Sequence, residues 1–168
     1  MADQTGGAIA LVTEANDDDV NQLQSAEEWF KLTAGKQAWF RARVKLSDVL
    51  QSDLFIGFAT TDTSIIAGTT DSIGFRKTDG SAVLQSISED ATVETVNTAA
   101  TMVADTYVDV GFHYDGSNLR FFIGDNETAV HTTNIEVTNK LALTITLQNG
   151  EAAAKTLTVD YVWACVER

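Results

Sequence analysis

Proline is missing from this 168-residue chain, and cysteine and histidine nearly so, with one Cys and two His. Without proline there is no Pro-rich linker or stalk. A single cysteine, Cys165, excludes an intramolecular disulfide, and its place in an apolar run near the C-terminus suggests a buried, inert thiol. Two histidines are too few for a zinc site or a Ser-His-Asp arrangement unless further partners stand at defined positions, and none does. No apolar run approaches the roughly eighteen residues that span a bilayer. The start, Met1-Ala2-Asp3-Gln4-Thr5-Gly6-Gly7, has neither a basic nor an apolar segment, so no signal peptide is expected. Positive charge is scarce as well. Eleven Lys and Arg stand against 24 Asp and Glu, a net charge of −13 that repels phosphate backbones and anionic headgroups. Nucleic acid and membrane are therefore not expected partners.

What is present is an ordinary globular share of apolar residues, 44%. A chain of this size forms one domain that buries roughly 70% of its unfolded surface. From Trp29 onward the apolar residues recur with period two, the pattern of half-buried strands. Over residues 39–46, Phe40, Ala42, Val44 and Leu46 take one face, and Trp39, Arg41, Arg43 and Lys45 the other. Over residues 106–115, Val108, Val110, Phe112 and Tyr114 point inward. Tyr107, Asp109, Gly111 and His113 point outward. Asp115-Gly116 then supplies a tight turn into Leu119, Phe121 and Ile123, giving a β-hairpin.

Two strands close the chain. One carries Leu141, Leu143, Ile145 and Leu147. The other carries Leu157, Val159, Tyr161, Trp163 and Cys165, and Gln148-Asn149-Gly150 serves as turn chemistry between them. Shorter strands are expected at 54–59, 73–77, 82–87 and 92–96. A single helical turn is expected within 62–68, capped by Asp62 or Thr63. Many short strands with turns every ten residues or so make the chain all-β, an antiparallel two-sheet sandwich over residues 26–168. Residues 1–25 read as an N-terminal arm. Its apolar run at residues 8–12, with Ile9 and Leu11, either adds an edge strand to the domain or reaches a neighbouring subunit.

Four segments in order resemble the concanavalin-like or laminin-G-like jelly roll. They are Trp39-Phe40-Arg41-Ala42-Arg43-Val44, Leu54-Phe55-Ile56-Gly57-Phe58-Ala59, Ser72-Ile73-Gly74-Phe75-Arg76, and the hairpin from Tyr114 to Ile123. Thr158-Val159-Asp160-Tyr161-Val162 is similar to the closing strand of that fold. The resemblance implies two packed antiparallel sheets and raises calcium as a cofactor. Loop oxygens for it are available at Asp17-Asp18-Asp19, at Asp115 with Asn118, and at Asp125-Asn126-Glu127, but none has the spacing of a dedicated Ca²⁺ loop. No cofactor is therefore expected. In composition, the acidic, proline-free, cysteine-poor chain resembles small virion proteins of tailed bacteriophages.

No pair of carboxylates shares a strand face as glycosidases of this fold require, and no nucleophile stands out, so the chain is expected to be non-enzymatic with no catalytic residue. The expected role is capsid decoration: binding coat protein and sister subunits as a homo-oligomer on the virion surface, after synthesis in the host cytoplasm. Candidate partner-binding residues are Trp39, Arg41, Arg43 and Lys45, with Ile9 and Leu11 of the arm. The alternative is a carbohydrate-binding module of a virion fibre, with exposed aromatics such as Trp29, Trp39, Tyr107 and Phe122 stacking on sugar rings.

Overall fold

The computed structural model describes residues 7–168 and folds them into two antiparallel six-stranded sheets packed face to face. Sheet I runs β1 (Ile9–Val12), β12 (Thr156–Val166), β3 (Ala38–Leu46), β8 (Val108–Tyr114), β9 (Leu119–Ile123) and β10 (Asn126–His131). Sheet II runs β2 (Val20–Gln24), β11 (Ala142–Asn149), β4 (Ser52–Ala59), β5 (Ser72–Lys77), β6 (Val83–Asp90) and β7 (Val93–Thr101). Helix is limited to one 3-10 turn, Ile65–Ala67, among the described residues. This is the all-β jelly-roll sandwich expected from the alternating apolar pattern.

The core lies between the sheets and is organised by phenylalanines. Phe40 and Phe112 of sheet I stack at 5.1 Å. Phe58 of sheet II meets both edge-on, at 5.6 and 5.2 Å. Phe75 meets Phe121 across the interior at 5.5 Å in the same edge-to-face manner, the arrangement that aligns ring edges with ring faces. Gly57 and Gly74 sit opposite each other on β4 and β5, and a Cβ on either would run into the backbone of the other strand. Over the outer face of sheet II, Ile65 of the 3-10 turn closes down on Phe55, Ala59 and Ile87, so that part of the sheet is covered.

In the N-terminal segment the edge strand expected as one alternative forms at Ile9–Val12, whereas residues 20–24, expected in the arm, are a strand of sheet II. Residues 1–6 lie outside the described residues, but β1 pairs with β12 and β2 with β11, one at the edge of each sheet. The acidic loop between them is tied down by Asn149, whose side chain donates to the carbonyls of Glu14 (2.6 Å) and Asn16 (2.8 Å) and accepts from the Thr13 hydroxyl (2.5 Å). Residues 9–24 thus belong to the sandwich, because their backbone groups are paired within it.

The helical turn lies within 62–68 as expected, but its cap differs. Its N-cap is Ser64, which makes no side-chain cap bond, and Asp62 instead accepts the Ser64 N–H at 2.7 Å.

Candidate functional site

Alternation along β3 sends Trp39, Arg41, Arg43 and Lys45 to the outer face of sheet I, as expected. On one side, β8 lays His113 opposite Trp39, Gly111 opposite Arg41, and Asp109 opposite Arg43. Phe122 of β9 stands beyond Gly111. On the other side β12 holds a β-bulge: Val159 pairs with Val44 and Tyr161 with Arg43, so Asp160 is the extra residue. A bulge shifts the side-chain phase of everything beyond it. Leu157 and Val159 face the core, whereas Tyr161, Trp163 and Cys165 face outward beside Arg43, Arg41 and Trp39.

A groove of about 380 Å³ results, with walls of Trp39, Trp163, His113 and Phe122 and with Arg41 and Asp125 at its polar margin. Gly111 forms the floor; a Cβ there would sit 2.9 Å from the Phe40 carbonyl oxygen and would project into the groove. Trp163 is 53% exposed, a large apolar surface left open. Trp39 and His113 are stacked nearly parallel with centroids 5.2 Å apart, and the His113 Nε2 lies 3.1 Å from the Gln37 Oε1. His113 is thus held as part of an aromatic platform, where the sequence suggested only a solvated side chain.

Polar groups continue the face toward the other end of β3. Arg41 donates to the Asp125 carboxylate at 3.1 Å, which raises the arginine further above its already high value. The Tyr161 hydroxyl donates to Asp109 Oδ1 at 2.7 Å, and burial together with this bond keeps the phenol protonated past its usual range. Arg43 lies between Asp109 (3.9 Å) and Asp160 (3.6 Å) with its guanidinium 4.8 Å from the centroid of the Tyr107 ring. The Lys45 ammonium lies 5.1 Å from the same ring. Flat apolar faces beside fixed donors and acceptors are what a sugar needs: the ring's C–H face stacks and its hydroxyls are oriented by hydrogen bonds. Asp109, Asp160 and Tyr161 add two carboxylates and a phenol to the face.

The other candidates fall elsewhere. Leu11 is 3% exposed and faces the core opposite Leu157, so it is closed to any partner, while Ile9 at the sheet edge is 52% exposed. Neither reaches the groove. Trp29 is exposed next to Phe30, whose backbone pairs with Leu141 near sheet II, and it does not line the groove. Cys165 is exposed rather than buried, through the same bulge.

The loop carboxylates proposed for calcium serve the fold. Asp115 accepts the Ser117 and Asn118 N–H groups, Asp18 and Asp19 accept from Gln148 and the Glu14 N–H, and Asp125 and Glu127 pair with Arg41 and Arg120. Among the described residues, the carboxylates grouped tightly enough to hold a metal are Asp71, Asp90 and Glu136, within 4.8 Å of one another and away from the groove. His131, which offered no signal in sequence, is fully buried with its two ring nitrogens on the Ser86 (3.2 Å) and Ser88 (2.9 Å) hydroxyls. Desolvation pushes its pKa down to about 4.

The residues that sequence reasoning missed are Tyr161 and Trp163. Their signal was a phase change: the small apolar residues run Leu157, Val159, then Val162, Ala164, Val166, skipping one position at Asp160.

No protein-family model matches the chain, and no curated protein matches it in sequence. Solved structures do match in fold. A β-1,3-1,4-glucanase (lichenase) from a mouse hindgut metagenome superposes with a TM-score of 0.69 at 11% identity, covering 95% of this chain and 80% of that one. The carbohydrate recognition domain of Emp46p, in a potassium-bound form, gives 0.68 at 8% identity over 91% and 81%. The alginate lyase AlyC3 gives 0.64 at 8% identity over 96% and 75%. The fold is therefore the jelly-roll sandwich shared by glycan-binding and glycan-cleaving proteins. Two expectations change as a result. The carbohydrate-binding alternative is better supported than capsid decoration. The expectation of a non-enzymatic chain is overturned, since the same sandwich is the scaffold of a glucanase and a lyase over nearly this chain's whole length.

Proposed function

We propose that this protein binds a carbohydrate across the outer face of sheet I, with Trp39 and Trp163 stacking on sugar rings and Arg41, His113 and Asp125 engaging hydroxyls. The observation that carries this reading is the bulge at Asp160, which turns Trp163 out of the core and sets it beside Arg41 and Trp39 across a groove with a glycine floor. Trp163, 53% exposed, joins Trp39 and Phe122 in one open aromatic patch, the kind of surface that marks a binding site. The kinship of fold with a glucanase and a carbohydrate recognition domain supports the same ligand class. Capsid decoration, the first expectation from composition, has no comparable feature in its favour.

A glycan array carrying plant, algal and animal polysaccharides, probed with the protein and with Trp163→Ala, tests the reading. Binding that falls tenfold or more in the variant, about 1.4 kcal/mol, is the expected result. Binding that persists unchanged would place the ligand elsewhere.

A second reading has its own observation. The Tyr161 hydroxyl bonded to Asp109, with Asp160 across Arg43, puts a phenol and two carboxylates on the same face as the groove, the kinds of group that cleavage of a bound glycan uses. New chain ends appearing on incubation with the arrayed polysaccharides, and lost in Asp109→Asn, would establish it.

A further inference from the structure

The charges on this face are unevenly satisfied. Of the cations along β3, Arg41 has a hydrogen-bonded carboxylate partner. Arg43 does not: its contacts to Asp109 and Asp160, at 3.9 and 3.6 Å, exceed hydrogen-bonding range, and its Nε is buried without a partner. Asp109 takes the Tyr161 hydroxyl on its Oδ1 at 2.7 Å, while its Oδ2 stays 3.9 Å from the Arg43 Nε. Lys45 forms no ion pair or hydrogen bond among the described residues and rests against Tyr107, the ring that also carries Arg43. Two like charges therefore share one aromatic ring, side by side on a strand, in a chain whose net charge is −13 and where acidic partners are plentiful. Neighbouring like charges repel, and a guanidinium with unmet N–H donors is costly unless something accepts from it. The Arg43 side chain is 43% exposed, so its outer edge is open to a ligand.

We propose that Arg43 and Lys45, set over Tyr107, form an anion subsite on the same face beyond the groove, so that the glycan bound there carries a carboxylate or sulfate group. The inference rests on the glycan-binding reading of this face. A planar oxyanion accepts two parallel N–H bonds from the guanidinium edge while the lysine ammonium adds a point charge beside it. From Trp39 to Lys45 is six residues along one strand, roughly 20 Å at about 3.4 Å per residue. A chain of sugars lying along β3 can then stack on Trp39 and Trp163 at one end and present its acidic group at the other.

The test uses matched pairs of probes: oligomannuronate with its carboxyl-reduced form, and carrageenan oligosaccharide with its desulfated form. Affinities are measured by titration calorimetry for the protein, Arg43→Gln, Lys45→Gln, Lys45→Glu and Trp163→Ala. At least one acidic probe should bind about tenfold or more tightly than its neutral counterpart. That preference should vanish in Arg43→Gln and in Lys45→Gln, reverse toward the neutral form in Lys45→Glu, and weaken as salt is raised. Which pair shows the effect separates a carboxylate from a sulfate. Should Arg43→Gln fail to fold, judged by its circular dichroism and melting temperature, the Lys45 variants carry the same test.

Equal affinity for both members of each pair, with Trp163→Ala abolishing both, would overturn the anion subsite and leave the glycan-binding reading intact. No binding of any probe would overturn the subsite and count against the reading beneath it.

Discussion

Single residues on this protein do opposite things with burial. His131 has exchanged water for two serine hydroxyls and a tilted contact with the Phe121 ring, 4.5 Å away, and is neutral in the folded state at neutral pH. Its pKa of about 4 lies below the unfolded value of 6.5, so between those values the unfolded chain holds more protons than the folded one. Stability from this residue is complete above pH 6.5, declines as pH falls toward 4, and is constant below that. At about 1.36 kcal/mol per pH unit the loss amounts to about 3 kcal/mol. Chemical denaturation at a series of pH values should show this slope in the protein and a flatter one in His131→Gln. A variant as pH-sensitive as the parent would assign the slope to other groups. Nothing in the sequence marks this histidine, since its serine partners lie more than forty positions away on β6.

Gly111 works in the other direction. It keeps the groove floor empty, and Gly111→Ala should weaken glycan binding by several-fold while pressing on the Phe40 carbonyl. Titration calorimetry and a melting curve would separate the two effects.

Among the elements, the strands that were legible in sequence are those with an apolar face. β3, β8 and β9 keep their inward and outward sets as read, and β11 keeps Ile145 and Leu147 in the core while its intervening Thr144 and Thr146 are buried as well. The two that were not legible are polar edge strands. In β2, Gln22 and Gln24 hold on to β11 through hydrogen bonds with Thr146 (3.0 Å) and Thr144 (2.7 Å), and its Val20 and Leu23 are exposed. In β10 most side chains face water and only His131 is fully buried. Period-two hydrophobicity reports burial on one face, so a strand at an edge leaves almost no trace.

The bulge in β12 defeated the pattern in another way. Its aromatic residues continue the odd-numbered alternation set by Leu157 and Val159 while the backbone has changed phase, so Tyr161 and Trp163 read as core and stand at the site. Polar tethers were equally hidden. Asn149 was read as a turn residue, yet it ends β11 and clamps the loop before β2. Asn149→Ala should cost about 1–3 kcal/mol and raise amide exchange over residues 13–19 more than elsewhere, which hydrogen-exchange mass spectrometry can read. Uniform exchange across the chain would show that the loop is held by other means.

At the scale of the whole molecule the sandwich was recoverable because its order of strands, glycines and hairpin is carried by apolar pattern and turn chemistry. The function was not, because it depends on which of four sheet faces stays open. The two inner faces are filled by phenylalanines, and the outer face of sheet II is partly closed by the 3-10 turn. The outer face of sheet I keeps its aromatic residues in reach of solvent. Composition pointed toward a capsid, yet a bulge one residue long in β12 and a glycine two strands away in β8 say more about the ligand than the charge of the entire chain.

The chain holds three tryptophans, and they divide usefully: Trp39 and Trp163 line the groove, and Trp29 is exposed outside it. The most direct measurement is an NMR titration of the three indole N–H signals with a glycan selected on the array. The signals of Trp39 and Trp163 should shift together and saturate with a single affinity while that of Trp29 stays in place. A shift of Trp29 alone, or saturable binding that moves none of the three, would contradict a carbohydrate site on the outer face of sheet I.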